Sequence, residues 1–574
     1  MYIGRENKSC DMEVIKNMRR LSHFMLFSFI TLTVSAGQFT GSIKGQVVES
    51  DTKAPLPGAN VSILNSTLGA AADNQGFFVI ADVPAGSYSL QFQFIGYQKV
   101  VKTDVIVKSN RVTTVNAELR FAVVEMQGIT VTGGYFSETD AQAVSAINFS
   151  NEEIRRSAGS HGDVSRIIAV LPSVAPSTDQ TNNLVVRGGN PGENAFYVDN
   201  IQIPNINHFP TEGSAGGALG ILNVDFIEDV DFYAGGFSSA YGDRLSSVMD
   251  ITFREGSRER LAGQVDLNWA GFGFVGEGPL ARQKGAWLFS ARKSYLDMVV
   301  RAIDVGNSIA PRYGDYQGKI VYDINQNHKL SLLAVWSEDA NRADKQTAIE
   351  NDMVVFMNQD IRQNTTGVNW RALWSVNGYS NTSFAHTMER FDEEAFDTGT
   401  EDLLMDNDSR HHLFALRNSN HFRLGPSGFI DFGFDGKLAI AQFHNFYGEQ
   451  IDPAGQPLPP LRVENKSRAT LMGGFFDYSL SPVEKMTIRL GCRVDHSSMN
   501  GNVQLAPRSE FLFRLSPLTM LQASAGLYYQ QLPIELLSKN KDLAQLKSTR
   551  AAHFILGVSH LLTESTKFTC ELYR

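Results

Sequence analysis

At 574 residues, with 43% hydrophobic and 20% charged side chains, the chain is long enough for several folded domains and too apolar to be disordered. Its formal charge of −10, with no block of Lys and Arg, excludes a nucleic-acid surface. Three cysteines are too few for a disulfide framework, so hydrogen bonds and apolar packing must hold the fold.

In chain order, Arg19-Arg20 precede the apolar run LSHFMLFSFITLTVSA, which ends in the small residues Val34-Ser35-Ala36. A charged start, a short apolar core and a small-residue end predict a secretory leader over residues 1–36, cleaved after Ala36. Met12 and Met18 are plausible true starts, and Cys10 would leave with the leader. No later stretch has the roughly 18 apolar residues that a membrane-spanning helix needs.

Residues 41–120 read as short alternating strands, GSIKGQVVE, ANVSILN, GFFVIADV, GSYSLQFQFIGY and NRVTTVNAEL, punctuated by Pro55, Pro57-Gly58, Gly76, Pro84 and Gly86. About seven strands in this space predict a small β-sandwich. GQVVESDTKAPLPGANVSI, DNQGFF and VPAGSYSLQFQFIGY resemble the carboxypeptidase-regulatory-like domain. No HExxH pair is present to bind zinc, so the expectation is a spacer or docking module and not a peptidase. Residues 121–136, containing VVEMQGITVTG, read as extended. They are either a linker or last strand, or a peptide that adds to another protein's sheet edge.

Residues 137–256 switch to a mixed α/β pattern. Asn151 is placed to cap the helix EEIRR, and Asp163 to start VSRIIAVLP, which Pro172 stops. LVVRGGNPGENAFYVDNIQIP then gives a strand, a turn at Gly188, Gly189 and Gly192, and a second strand bent at Asp199-Asn200. The glycine turn is not a phosphate cradle, because no GK[ST] follows and the next element is a strand rather than a helix N-terminus. VDFIEDVDFYAGGFSSAYGDRLSSVMDITFREG supplies two more strands around a turn. With few large apolar residues for its size, this unit needs a housing.

Residues 257–574 supply one. DINQNHKLSLL, LWSVNGYSNTSF, FRLGPSGFIDF, YSLSPVEKMTI, FRLSPLTMLQ and SHLLTESTKF are strand pairs with tight turns, separated by the polar connections 338–364, 392–409, 443–465 and 532–549. Short turns alternating with long loops, and apolar Val265, Leu267 and Trp269 alternating with Asp266 and Asn268, predict an antiparallel transmembrane β-barrel. Trp287, Tyr322, Trp336, Trp370, Trp374, Phe432 and Tyr528-Tyr529 are expected in its interfacial aromatic girdles. Gly271-Phe-Gly-Phe-Val-Gly276 matches a dinucleotide fingerprint but lacks the crossover helix, so it is read as a hairpin. His411-His412 beside the acidic segment 391–408 has no spacing that fixes a metal geometry; it is read as a solvated loop with weak cation capture as the alternative. No GxSxG or comparable constellation points to an enzyme.

LVVRGGNPGENAFYVDNIQIPN and FYAGGFSSAYGDRLSSVMDI, in this order of domains, resemble the TonB-dependent outer-membrane receptors that carry an N-terminal carboxypeptidase-regulatory-like domain. The resemblance implies a mainly β protein: periplasmic sandwich, small α/β plug, and multi-pass barrel in the outer membrane of a Gram-negative bacterium. It implies that the plug closes the lumen and that TonB pairs with a box at Gly128, Ile129, Thr130, Val131, Thr132 and Gly133. The plug signature then comprises Arg187, Gly188, Gly189, Asp199, Gly235, Gly236, Tyr241, Gly242 and Arg244, with Arg187 and Asp199 forming ionic contacts inside the plug or with the wall. Asn205, Asn207 and His208, in the tip 204–217, are candidates for touching ligand. Implied partners are TonB, outer-membrane lipid, an extracellular ligand (siderophore, cobalamin, glycan or peptide) and a surface lipoprotein; no cofactor, metal or nucleic acid is implied. An adhesin or signalling receptor without transport is the alternative. About fourteen candidate strands follow the plug, against about 22 in plugged barrels, which reads as a barrel cut short.

Overall fold

The computed structural model describes residues 40–574 apart from 51, 98, 108–111, 122–143, 158–162, 177, 179–180, 268–270, 296–297, 299–310, 376, 426, 452–455, 484, 540–545 and 564–565. The expected leader and the expected box at Gly128–Gly133 lie outside the described residues. No described helix is long and apolar enough to cross a membrane.

The N-terminal sandwich has eight strands, β1 (Thr40–Glu49), β2 (Asn60–Ile63), β3 (Gly69–Ala71), β4 (Phe77–Pro84), β5 (Gly86–Gln93), β6 (Val100–Val107), β7 (Val112–Thr114) and β8 (Ala117–Leu119). One sheet runs β4-β1-β7 with β8 also on β1, and the other runs β3-β2-β5-β6. The alternation along β1 buries Ile43 and Val47 against Val61, Phe78, Leu90 and Phe92 of the facing layer. Period-2 patterning thus becomes a two-layer core.

The plug centres on a five-stranded sheet in the order β13-β12-β17-β16-β9. Its members are β9 (Ala146–Ser150), β12 (Asn194–Val198), β13 (Ile201–Ile203), β16 (Ile227–Tyr233) and β17 (Ser247–Phe253). The short pairs β10 (Val174–Pro176) with β11 (Leu184–Val186), and β14 (Asn207–His208) with β15 (Leu219–Gly220), flank it. Helix α1 (Asn151–Arg156) is capped by Ser150 and not by Asn151. The Ser150 hydroxyl accepts from the Glu153 N–H while the Glu153 carboxylate accepts from the Ser150 N–H, a reciprocal box that Asn151 is one residue too late to make. Asp163 does cap α2 (Val164–Ile168), which ends ahead of Pro172.

The third unit is a 15-stranded antiparallel sheet, one strand more than expected. It comprises β18 (Ala262–Leu267), β19 (Gly271–Leu280), β20 (Gly285–Ser294), β21 (Arg312–Asn325), β22 (His328–Ala343), β23 (Val355–Ser375), β24 (Gly378–Asp397), β25 (Leu403–Arg423) and β26 (Gly428–Tyr447). After the small loop hairpin of β27 (Gln450–Ile451) and β28 (Pro457–Leu458) come β29 (Leu461–Val483), β30 (Met486–Ser497), β31 (Val503–Ser516), β32 (Thr519–Gln530), β33 (Thr549–Thr563) and β34 (Thr566–Tyr573). Neighbours pair in chain order, so connections alternate between the two ends: one end has only tight turns, and every long connection falls at the other. The fingerprint-like Gly271–Gly276 is part of β19, paired on both sides.

Two expectations about this sheet need correcting. The polar segment 392–409 is mostly strand: Phe391 pairs with Ser409 and Ala395 with Met405, leaving only the turn near 398–402. Strands that project beyond the apolar zone keep their ladders while their side chains turn polar, so polarity alone misplaces their ends. Tyr528 is 1% exposed and faces inward, its ring 4.6 Å from Phe237 of the plug, whereas Trp336, Trp370, Trp374 and Phe432 are exposed on the outer face. Adjacent residues on a strand point to opposite faces, so Tyr528 and Tyr529 cannot share a girdle.

The sandwich sits at the short-turn end. Lys44 reaches Glu259 at 2.8 Å, Glu49 pairs with Arg423 at the end of β25, and Asn116 donates to Glu228 of the plug at 3.0 Å.

Candidate functional site

The site is the seam between plug and barrel wall. Polar grips run around the whole wall, and apolar contacts fill the spaces between them. Toward β19–β24, Val275, Leu288, Leu333, Val335 and Ala385 join one continuous apolar cluster with plug residues such as Phe196, Val198, Ile201 and Phe253. Toward β25–β34, ionic and carbonyl grips surround a smaller apolar cluster in which Tyr528 joins Phe237 and Val248, and on the opposite side Arg292 of β20 likewise donates to Gly220 O at 3.1 Å.

In the first signature segment, β11 ends in a left-handed turn, with Arg187 at φ 50° and Gly188 at φ 82°. Gly189 has no room for a Cβ, which would lie 2.5 Å from the Ser246 hydroxyl. Arg187 bonds Glu571 of β34 at 2.5 Å and stacks 4.5 Å from the Tyr573 ring, and Ser145 donates to the same Glu571 at 2.6 Å. Burial lowers the Arg187 pKa more than Glu571 and Tyr573 restore it. Asp199 and Asn200, at φ 49° and 67°, form the two-residue turn between β12 and β13 that a right-handed hairpin twist requires. Asp199 meets Lys319 of β21 at 2.8 Å. Both residues expected to make ionic contacts therefore do so across the seam.

In the second signature segment, Gly235 and Gly236 turn the chain at φ 77° and 64° into the loop 237–241. Three barrel guanidiniums hold that loop by its carbonyls. Arg508 of β31 donates to Phe237 O at 3.1 Å, to Ser238 O, and to Tyr241 O at 2.9 Å. Arg417 of β25 donates to Ala240 O and to the Asn200 side chain, both at 2.9 Å. Arg493 of β30 lies within 3.4 Å of Ser239 O and is itself held by Asp435 at 2.9 Å and Asp495 at 2.7 Å. Charge-assisted bonds of this kind are roughly twice as strong as neutral ones, and carbonyl acceptors make the grip indifferent to the loop's side chains. Gly242 is required because a Cβ there would lie 2.0 Å from Arg493 Nε. Tyr241 donates to Asp250 of β17 at 2.6 Å, and Arg244 bonds the Asn194 carbonyl at 2.9 Å, so both brace the plug internally. Burial raises the Tyr241 phenol well above its usual range, with Asp250 adding to it.

The tip 204–217 corrects an expectation. Asn205, Asn207 and His208 are 3%, 1% and 0% exposed, and in this arrangement none is open to a ligand. The Asn205 side chain donates to Gly216 O and accepts from the Asn207 N–H, which shapes the loop from within. His208 lies between Asp339 of β22, at 2.6 Å from Nδ1, and Asp315 of β21, at 3.2 Å from Nε2. Burial opposes its charge, but Asp339 and Asp315 outweigh it and push its pKa up to about 9. A histidine in a Gly- and Pro-rich loop gives no hint of this, because its two partners come from strands far along the chain.

What the tip does expose at the long-loop end is Thr211 and Gly213. Between them, Glu212 accepts from His411 of β25 at 2.7 Å and from Asn407 at 3.1 Å. His411 also meets Glu535 of α3 (Ile534–Lys539) at 3.1 Å, joining plug tip, wall and outer loop. Among the described residues no cluster fits a metal ion.

Residues 43–131 match the CarboxypepD_reg-like domain family and residues 138–247 the TonB-dependent Receptor Plug Domain family. The TonB-dependent transporter Oar of Myxococcus xanthus is 24% identical over 379 residues, covering 52% of this chain. The match spans 34% of that relative's length, about a third of it. Among solved structures, the ferric enterobactin receptor PfeA of Pseudomonas aeruginosa superposes with a TM-score of 0.55 at 15% identity, covering 73% of this chain and 69% of that one. The siderophore receptor PirA of Acinetobacter baumannii gives 0.54 at 13% identity, covering 73% and 68%. The alcaligin receptor FauA of Bordetella pertussis gives 0.54 at 12%, covering 77% and 72%. At these identities the likeness is one of fold. The chain thus carries a region that matches the CarboxypepD_reg-like family followed by one that matches the TonB-dependent receptor plug family, and it shares its fold with solved outer-membrane receptors.

Proposed function

We infer that the protein is an outer-membrane importer of a scarce extracellular ligand, with its sandwich in the periplasm and its long loops outside. It is a receptor and not an enzyme. The plug is the gate, and TonB works it by pairing with the extended segment Gly128–Gly133. Strand addition needs backbone extension more than particular side chains, which suits a segment as plain as Gly-Ile-Thr-Val-Thr-Gly.

The observation that carries this reading is the large polar share of the seam between plug and wall. The apolar cluster that reaches β19–β24 keeps the plug seated, while carbonyl and ion-pair grips around the wall are contacts that water can replace bond for bond. Force from the periplasm therefore opens a path where these polar contacts lie, without expelling the whole plug.

Because fold neighbours are named as siderophore receptors, ferric siderophores form the first uptake panel. Cells carrying the protein are expected to accumulate radio-iron from at least one ferric siderophore. An uncoupler and an Ile129→Pro substitution, which removes a ladder donor, should each abolish accumulation while leaving surface binding. Binding without energy-dependent accumulation across siderophore, cobalamin, glycan and peptide panels would refute import and leave a receptor without transport.

A further inference from the structure

The sandwich stands across the short-turn mouth. Lys44 and Glu49 are five residues apart on β1, about 17 Å at roughly 3.4 Å per residue. Lys44 meets Glu259, just ahead of β18, at 2.8 Å, while Glu49 pairs with Arg423 at the end of β25, seven strands further round the sheet. Between these footings Asn116 accepts from the Gln46 N–H and donates to Glu228 of the plug, both at 3.0 Å. Lys53 adds a contact with the Tyr379 ring of β24, 6.0 Å away. β1 is thus a crossbar, with its ends on separate parts of the rim and its middle tied to the plug.

The hold on the sandwich differs in kind from the hold on the plug. The plug shares a continuous apolar cluster with the wall residues Val275, Leu288 and Leu333. The sandwich core, built on Ile43, Val47, Phe78 and Phe92, is made of sandwich residues alone. What ties it to wall and plug is ion pairs, a side-chain amide bond and cations over rings. Water replaces such contacts, and a polar surface between domains lets one of them leave with its core intact.

Both flanks of the segment assigned to TonB are pinned to the wall. On one side Phe121 lies 6.0 Å from the Arg423 guanidinium and packs edge-on against Tyr97 at 5.5 Å. On the other, Ser145 donates to Glu571 at 2.6 Å and accepts from Arg187 at 2.7 Å. Phe121 is seven residues from Gly128, and Ser145 is twelve from Gly133. Tethers of these lengths are taut at about 24 Å and about 41 Å. A pull on Gly128–Gly133 therefore loads the Phe121 side first, at the same guanidinium that holds Glu49.

We propose that the sandwich is a releasable cap on the periplasmic mouth. Docked, it bars the path below the plug; traction on the segment that follows it undocks it before the plug is strained. This rests on the reading that TonB pairs with Gly128–Gly133 and that the short turns face the periplasm.

The test uses the full chain with Cys10→Ser/Cys492→Ser/Cys570→Ser and two reporter pairs, each joined by a short, reducible bis-thiosulfonate. Asn116→Cys/Glu228→Cys reports the cap, and Asn223→Cys/Ser290→Cys, at a plug–wall bond of 2.8 Å, reports the plug. In purified protein Arg423→Glu should slow cap-pair cross-linking roughly fivefold, and Glu49→Arg/Arg423→Glu should return it to within about twofold of the parent. Lys44→Glu and Lys44→Glu/Glu259→Lys repeat the swap at the other footing. In energised cells cap-pair cross-linking should fall about threefold relative to uncoupled cells or to Ile129→Pro, with the plug pair falling less. Cap-pair rates indifferent to both swaps, or a plug pair that responds to energy while the cap pair does not, would overturn the proposal. Silence of both pairs in energised cells, with the swaps behaving as expected in purified protein, would refute traction by TonB, and release with it, while the dock stands.

Discussion

Raising the pH through 9 should release His208 from its two carboxylates. The imidazole is fully buried, and the groups that face it are Asp339 on β22, Asp315 on β21, Arg292 on β20, which neutralises part of Asp315 at 2.9 Å, and the Tyr313 ring at 4.7 Å. Its pKa stands at about 9 against an ordinary 6.5. That difference corresponds to about 3 kcal/mol favouring the seated plug. Because the folded value is raised, the contribution is complete below pH 6.5 and is lost as the pH climbs through about 9. Titrating histidine-labelled protein in micelles by NMR, with His208→Gln to assign the resonance, reads the pKa directly. Protease sensitivity of the plug, measured from pH 6 to 10, reads the energetic consequence. The parent should lose protection near pH 9, whereas His208→Gln should start about 3 kcal/mol lower and stay flat. Titration of His208 near 6.5, or identical protection profiles for parent and variant above pH 7, would refute the reasoning.

Three further outcomes follow from the seam. Arg493→Met leaves Asp435 and Asp495 without their cation and should cost about 3–5 kcal/mol in thermal unfolding, with part recovered by adding Asp435→Asn. A loss under about 1 kcal/mol would mean that the clamp is idle. Gly242→Ala should displace the same guanidinium, so the double variant Gly242→Ala/Arg493→Met should lose little more than either single one; additive losses would sink that coupling. Lys319→Met strands the Asp199 carboxylate and should destabilise the plug in pulse proteolysis, while Lys319→Met/Asp199→Asn should restore most of the loss.

Much of the fold was legible because it rests on local period. Alternation in TGSIKGQVVE, the glycine turns of both signature segments, and the short-turn, long-loop rhythm after residue 257 each dictate strand direction and face without reference to the rest of the chain. Capping was nearly legible: Asp163 was placed correctly, and Asn151 missed by one residue because the reciprocal bond of Ser150 with Glu153 was not weighed. Strand ends were not legible, since 392–409 is polar and yet paired. That Arg187 and Asp199 bear charge inside the plug was foreseen; their partners, Glu571 and Lys319, were not.

The sequence by itself determined that this is a β-rich chain of sandwich, plug and barrel sheet, because backbone periodicity, turn chemistry and domain-scale composition act over neighbouring residues. Only the tertiary structure decided the seam. Arg417, Arg493 and Arg508 look like any lumen-facing cations in their strands, and His208 like any loop histidine, until the sheet curves around the plug. Contacts between residues hundreds of positions apart depend on register summed over many ladders, and no local pattern carries that information.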